Sequence, residues 1–256
     1  MPKFAVSLNM MFTEWPLLDR FQAAADAGFS AVEVQFPYEA PADAIAAKLA
    51  ANRQQLLLIN TPRGSPETGG RGLAALPERA AEFRETFAQA QQYAEVTGAQ
   101  KIHVTSGAGA SANVATFTAS LRWAAERIAA KRIQLLLEPL NLRDNPGYFM
   151  SDFDLARRII EDIALPAVRL QYDLYHRQIL HGDIAVSLAA MMPIIGHVQI
   201  AGVPERHEPV ECEIDYGHVF RLLDRLGYDG WVGCEYKPRA GTIAGLGWLA
   251  PWRTQG

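Results

Sequence analysis

Short apolar, strand-forming runs alternate with longer helical segments eight times along this chain. This rhythm constrains the fold most, because a strand followed by a crossover helix feeds a parallel sheet rather than a hairpin. The runs predict strands at residues 4–8, 31–36, 56–60, 101–105, 134–138, 168–173, 197–201 and 231–235. Helices are predicted between them at 15–27, 41–52, 78–97, 117–130, 152–163, 184–192 and 215–226, with a last short one at 242–248. Pro16 suits a first helical turn, and Gly28 and Gly98 sit where a helix closes. Eight units in 256 residues, about 32 each, match the size of a (β/α)8 TIM barrel, and residues 1–256 read as one such domain. The competing arrangement, an open doubly wound sheet, needs a glycine-rich phosphate turn. The nearest candidate, Ser106-Gly107-Ala108-Gly109, lacks the third glycine and opens no clear helix, so it reads as a plain loop. The Gly/Pro-rich stretch 61–77 is longer than an ordinary connection and is expected to be functional or mobile, as a loop over a site would be.

Charge and composition remove several function classes. The 24 basic and 28 acidic residues leave a net charge of −4 with no basic block, so nothing supplies the field that holds nucleic-acid phosphates. With 49% hydrophobic residues the chain can bury a core and is not disordered. No run approaches the roughly 18–20 apolar residues of a membrane span. Lys3 is followed by a segment interrupted by Asn9 and Glu14, so no signal peptide is expected. Two cysteines, Cys212 and Cys234, make no disulfide framework and read as unreactive thiols. The expectation is a cytoplasmic enzyme with a small-molecule partner. A homo-oligomer is left open.

In a TIM barrel the reacting groups project from the C-terminal ends of the strands. Here the late strands end in Glu138, Asp173 and Glu235, and Gln199 lies near the end of the seventh. Each acid directly follows an apolar or strand-forming run: Leu135-Leu-Leu137, Leu170-Gln-Tyr172 and Trp231-Val-Gly-Cys234. A carboxylate at the end of a buried strand must be paired, hydrogen-bonded or bound to a metal. Three that converge repel one another, and a divalent cation is the simplest counter-charge. Oxygen-only ligands select a hard ion, Mg²⁺ or Mn²⁺, over zinc, and four of them leave positions for substrate oxygens. For any one of these acids alone, a helix cap or an ion pair is an equally good account. Four on successive strands favour a shared site.

These residues sit in recognisable phrases: Leu137-Glu138-Pro139-Leu-Asn141, Gln171-Tyr172-Asp173-Leu-Tyr175-His176, Gly196-His197-Val-Gln199-Ile200-Ala201 and Gly230-Trp231-Val-Gly233-Cys234-Glu235-Tyr236-Lys237-Pro238. With Leu8-Asn9-Met10-Met-Phe12 and Phe36-Pro37-Tyr38 they resemble the hydroxypyruvate isomerase family of the xylose-isomerase-like TIM barrels over nearly the whole chain. The resemblance implies that Glu138 and Glu235 are the proton donor/acceptor pair. It also implies that Glu138, Asp173, Gln199 and Glu235 bind the metal. The implied reaction converts hydroxypyruvate to tartronate semialdehyde through a cis-enediolate. The chemistry suits the residues: a metal polarises the ketone, and two acids manage a 1,2 proton shift without a hydride cofactor.

The sequence departs from the family pattern in places. Glu208-Pro209 is followed by Val210-Glu211-Cys212 rather than a Gly-Thr-Gly-like turn, Ile59-Asn60 replaces His-Asn, and Arg63 and Ser65 replace smaller or different residues. Asn60 and this loop are expected at the non-reacting end of the substrate. Lys237, Arg206 and Arg63 are rival partners for a substrate carboxylate, each with a plain surface cation as its alternative. His176 is expected to bind substrate or support a ligand, with a packing histidine as the alternative. His207 is a loop candidate. His103 and His197 are expected to fill the barrel, Glu208 and Glu213 to serve loops or caps, and Phe12, Trp15, Tyr38 and Trp248 to pack the core. Other activities on the same scaffold are a 2-oxo-tetronate isomerase, a ketose 3-epimerase or a catalytically idle sugar-acid binding protein. A zinc nuclease of this fold group needs strand-end histidines, which the four ligand positions do not carry.

Overall fold

Eight parallel strands close on themselves in chain order: β1 (Lys3–Ser7), β2 (Ala31–Glu33), β3 (Gln55–Asn60), β4 (Lys101–His103), β5 (Gln134–Leu137), β6 (Val168–Asp173), β7 (Ile195–Ile200) and β8 (Trp231–Cys234). The last pairs with the first, Lys3 opposite Trp231 and Val6 opposite Cys234, so no strand edge is left open. The computed structural model describes residues 1–65 and 70–252, and its architecture is the expected (β/α)8 barrel. The helices among the described residues are α1 (Leu17–Asp26), α2 (Ala42–Ala51), α3 (Ala80–Thr97), α4 (Val114–Ile128), α5 (Phe153–Ile163), α6 (Leu174–Leu180), α7 (Ile184–Met191), α8 (Tyr216–Arg225) and α9 (Thr242–Gly245). None is long and apolar enough to cross a membrane. Part of the 61–77 loop, residues 66–69, lies outside the described residues.

The differences from the expected elements have local causes. Helix α6 was not expected. It follows β6 with no spacer, because Asp173 both ends the strand and caps the helix, its Oδ1 accepting from the Tyr175 N–H at 2.8 Å. Helix α4 begins at Val114, three residues earlier than expected, because Asn113 caps it by accepting from the Thr116 N–H. Strand β2 stops at Glu33 rather than residue 36, where its pairing with β3 shifts register. The last turn continues past α9 as a 3-10 helix, Leu246–Trp252.

Successive strand residues face opposite sides of the sheet, and here the two sides differ in character. Outward residues such as Val6, Val32, Leu137 and Val198 are buried against the helices in one large apolar core. A small separate cluster, Ala5, Ala31, Leu57, Leu58 and Leu136, forms the apolar floor of the lumen. Above it the lumen turns polar. Glu33 on β2 contacts His197 and Gln199 on β7, and a Cβ added to Gly233 on β8 would stand 2.0 Å from Glu33 Oε1. Strand β2 is not a sheet neighbour of β7 or β8, so these contacts cross the interior. Glycine at 233 thus vacates the volume that Glu33 occupies. Gly233→Ala is expected to overpack the lumen and cost about 1–3 kcal/mol. A urea unfolding curve with a lower midpoint and unchanged slope checks it.

Candidate active site

The pleat carries the inward register to the mouth of the barrel. Two residues beyond Leu136 stands Glu138, beyond Gln171 stands Asp173, beyond His197 stands Gln199 and beyond Gly233 stands Glu235. Pro139 has no N–H to continue the ladder and holds Glu138 extended at the strand end. The Glu235 N–H still donates to the Ile200 carbonyl at 3.0 Å. Asp173 divides its oxygens: Oδ1 caps α6, and Oδ2 is buried without a hydrogen-bond partner. The cap and the site reading of Asp173 are therefore compatible.

A cavity of about 270 Å³ opens here, and Gln35, Asn60, His103, Glu138, His176, Arg206 and Glu235 help line it. Among the described residues, buried polar atoms around the mouth without a hydrogen-bond partner include Gln35 Nε2, Asn60 Oδ1, both ring nitrogens of His103, Glu138 Oε1, Asp173 Oδ2 and Arg206 Nε. Buried polar groups are normally satisfied, so such a concentration marks a surface built to meet a ligand.

The electrostatics are those of like charges held out of water. Burial, then repulsion from Glu235 and Asp173, pushes the Glu138 carboxyl well above the usual range. Burial raises Asp173 to about 6 and Glu235 to about 8, although Arg206 pulls both down. Arg206 is the internal counter-charge. Its Nη2 lies 2.7 Å from Glu235 Oε2 and 3.5 Å from Asp173 Oδ2, and its guanidinium lies 4.9 Å from the centre of the Tyr175 ring. It reaches inward from a left-handed backbone, φ 61°. Burial lowers His103 to about 3 and His176 well below its ordinary value, so both rings are neutral. His103 Nδ1 stands 3.2 Å from Glu138 Oε2.

Glu138, Asp173 and His176 form a group close enough to share an ion. The tautomer argues for a narrower role for the histidine. Its Nδ1 accepts from the Asn141 backbone N–H at 3.0 Å, which leaves the proton on Nε2, 3.6 Å from Asp173 Oδ2 and 4.0 Å from Glu138 Oε1. A ring nitrogen bearing a proton does not ligate, and at these distances it makes no hydrogen bond to either carboxylate. Gln199 lies deeper: its Nε2 donates to Glu33 and its Oε1 accepts from Gln171. The donor set is oxygen-rich and includes orphaned carboxylate oxygens, which fits a hard divalent ion.

The structure brings Glu138, Asp173, Glu235, His176, Arg206 and Asn60 together and places Gln199 beneath them. It does not bring Lys237 with them. That side chain is exposed on an adjoining groove with Arg143, Tyr175 and Glu205, while its N–H donates to the Arg206 carbonyl. Arg63 stands at the cavity wall, its guanidinium 4.0 Å from the Phe36 ring centre. Glu208 Oε1 accepts from the Arg239 N–H, a loop role as expected. Trp15 is 38% exposed, against the expectation of core, because it stands just before α1 rather than within it. Sequence reasoning missed Glu33 and Gln171. Gln171 carried a signal, since it shares the inward period of Asp173; Glu33 did not, because no recognised site residue lies on its strand.

Residues 21–252 match the model of the xylose isomerase-like TIM barrel family. The chain belongs to that family. Among xylose isomerase-like relatives, it is 48% identical to a Cupriavidus necator protein named 2-oxo-tetronate isomerase, over 98% of this chain and 99% of that one. It is 39% identical to hydroxypyruvate isomerase of Escherichia coli, over 99% and 100%. The crystal structure of a Brucella melitensis protein described as an AP endonuclease of family 2 has a TM-score of 0.96 and 43% identity, covering 99% of this chain and all 100% of that one.

The raised carboxyl pKa values carry a stability consequence. A carboxyl that titrates higher in the folded than in the unfolded chain stabilises below its unfolded pKa and loses that contribution as pH rises through the folded value. In chelator, the melting temperature is therefore expected to fall from about pH 4.5 toward 8. Glu235→Gln should flatten the upper part of that fall, by about 2–4 °C for each kcal/mol of charge burial removed. Scanning calorimetry across the pH range checks it.

Proposed function

We propose that this chain is a metal-dependent isomerase of small α-hydroxy-keto acids, moving a proton between C3 and C2 of a 2-oxo acid that bears a C3 hydroxyl. The observation that carries the reading is the pair Glu138 and Glu235. They are two buried carboxyl groups, from β5 and β8, that line the same cavity. Two carboxyl groups facing one cavity can supply one group that accepts a proton and one that donates. The named activities of the relatives, 2-oxo-tetronate isomerase and hydroxypyruvate isomerase, point the same way.

With hydroxypyruvate, one glutamate removes a proton from C3 and the electron pair closes a C2=C3 double bond, giving a cis-enediolate. The other glutamate delivers a proton to C2, and the hydroxyl proton passes from O3 to O2. Tartronate semialdehyde results, with no change in atoms or electrons. A four-carbon 2-oxo acid reacts at the same two carbons. Glu138, Asp173, Glu235 and the Gln199 oxygen would hold Mg²⁺ or Mn²⁺, which supplies the positive charge that polarises the ketone and acidifies the neighbouring C–H. The unpaired Asn60 Oδ1 accepts a substrate hydroxyl, and the neutral His176 ring lies beside Asp173 and Glu138. The substrate carboxylate falls to the cations on the cavity wall, Arg63 and Arg206, rather than to Lys237.

Proton NMR in D₂O with hydroxypyruvate or 2-oxo-tetronate and Mn²⁺ tests the reading. Deuterium entry at carbon is expected in the wild type, lost with chelator, and reduced about 10²–10⁴-fold in Glu138→Gln or Glu235→Gln. Silence toward every such acid and toward ketoses would leave a binding protein. For the carboxylate end, Arg63→Met is expected to raise KM for the acid about tenfold, with kcat little changed. It should leave KM for an uncharged ketotetrose unmoved, and steady-state kinetics on the two substrates separate the effects.

A further inference from the structure

Beneath the acids lies a hydrogen-bonded cluster that the proton-transfer scheme does not use. Glu33 is fully buried in the lumen. Its Oε1 lies 2.5 Å from His197 Nε2, and its Oε2 accepts from Gln199 Nε2 at 2.7 Å. At the other end of the same amide, Gln171 Nε2 donates to Gln199 Oε1 at 2.5 Å. Gln199 itself stands opposite Asp173 in the β6–β7 register.

The two ends of a primary amide are nearly equal in size and opposite in chemistry, so only hydrogen-bond partners decide which way it faces. A carboxylate accepts and does not donate. Placed at residue 33, it obliges Gln199 to turn its NH₂ inward and its oxygen away. Gln171 takes one of that oxygen's two lone pairs, and the second is available to a cation. His197 occupies the other oxygen of Glu33 and fixes the carboxylate plane. None of Glu33, His197, Gln171 and Gln199 lines the cavity; Gln199 is the member of the cluster that stands opposite Asp173, so Glu33 reaches the site through its hydrogen bond to that amide as well as through its negative charge. Gly233, with no side chain, leaves the room in which Glu33 sits.

We propose that Glu33 is a positioning residue: it sets the orientation of the Gln199 amide so that its oxygen, not its nitrogen, is offered to a hard divalent cation. The inference rests on the metal-dependent reading above and adds to it a residue that touches neither metal nor substrate.

Mn²⁺ titration calorimetry on chelator-stripped protein tests it, with circular dichroism and melting temperature as controls for folding. Glu33→Gln gives Gln199 a partner that takes either end of its amide, and is expected to weaken Mn²⁺ binding about 10–100-fold. Exchanging the pair, Glu33→Gln with Gln199→Glu, again sets an amide against a carboxylate, and a carboxylate at 199 offers oxygen whichever way it turns. The exchanged pair is therefore expected to bind Mn²⁺ at least as tightly as the wild type. A merely structural loss would not be repaired by a second change. The positioning role is overturned if folded Glu33→Gln binds Mn²⁺ like the wild type, or if the exchanged pair binds as weakly as Glu33→Gln alone. Wild-type protein that binds neither Mn²⁺ nor Mg²⁺ overturns the metal-dependent reading and this inference together.

Discussion

Like charges share the mouth of a closed barrel, and the rest of the site follows from that crowding. Glu138, Asp173 and Glu235 are carried there by three strands whose backbone pairing leaves them nowhere else to point. Burial and mutual repulsion hold their carboxyl groups above the ordinary range. Arg206 enters as counter-charge from a left-handed backbone; His103 remains neutral because it is buried, and His176 because it is buried and close to the guanidinium. The same crowding is what the proposed cation and proton-transfer chemistry would draw on.

The barrel wall beneath explains why this arrangement is stable enough to exist. Its outward face packs apolar side chains against the helices, while its inward face changes from a small apolar floor to Glu33, Gln171, His197 and Gln199 before reaching the acids. The polarity therefore rises along the strands instead of switching abruptly at the mouth. One strand period connects the layers, so a side chain two residues back from a mouth residue is also in the lumen. The fit depends on an omission as well: only glycine at 233 leaves Glu33 its place.

Much of this was legible in the sequence. The eight-fold alternation indicates the barrel, and a single acid closing each of three apolar runs indicates Glu138, Asp173 and Glu235. Glu33 escaped notice because Ala31-Val-Glu33-Val-Gln35 reads equally well as a strand with one face in water; only barrel closure turns that polar face inward. Helix α6 escaped because a seven-residue helix starting on the last residue of a strand leaves no connecting segment in the sequence. Lys237 was drawn toward the site by its nearness to Glu235 in sequence, yet three residues past the end of β8 the chain has already turned onto the rim. The resemblance named the reaction class. The orientation of Gln199 belongs to a network contributed by three strands and could not be read from any one phrase.

The direct join between β6 and α6 has an evolutionary consequence. Asp173 belongs to two rigid elements at once, so no insertion can enter on its C-terminal side without breaking either the strand or the cap. Change in chain length falls to the longer connections, among them the one between β3 and α3 that carries Arg63 and the one between β7 and α8 that carries Arg206. The mouth is thus closed to insertion at β6 and open to it at the loops around it. A lineage built on this scaffold could exchange one acid for another by rewriting a single loop while Glu138 and Glu235 stayed as they were.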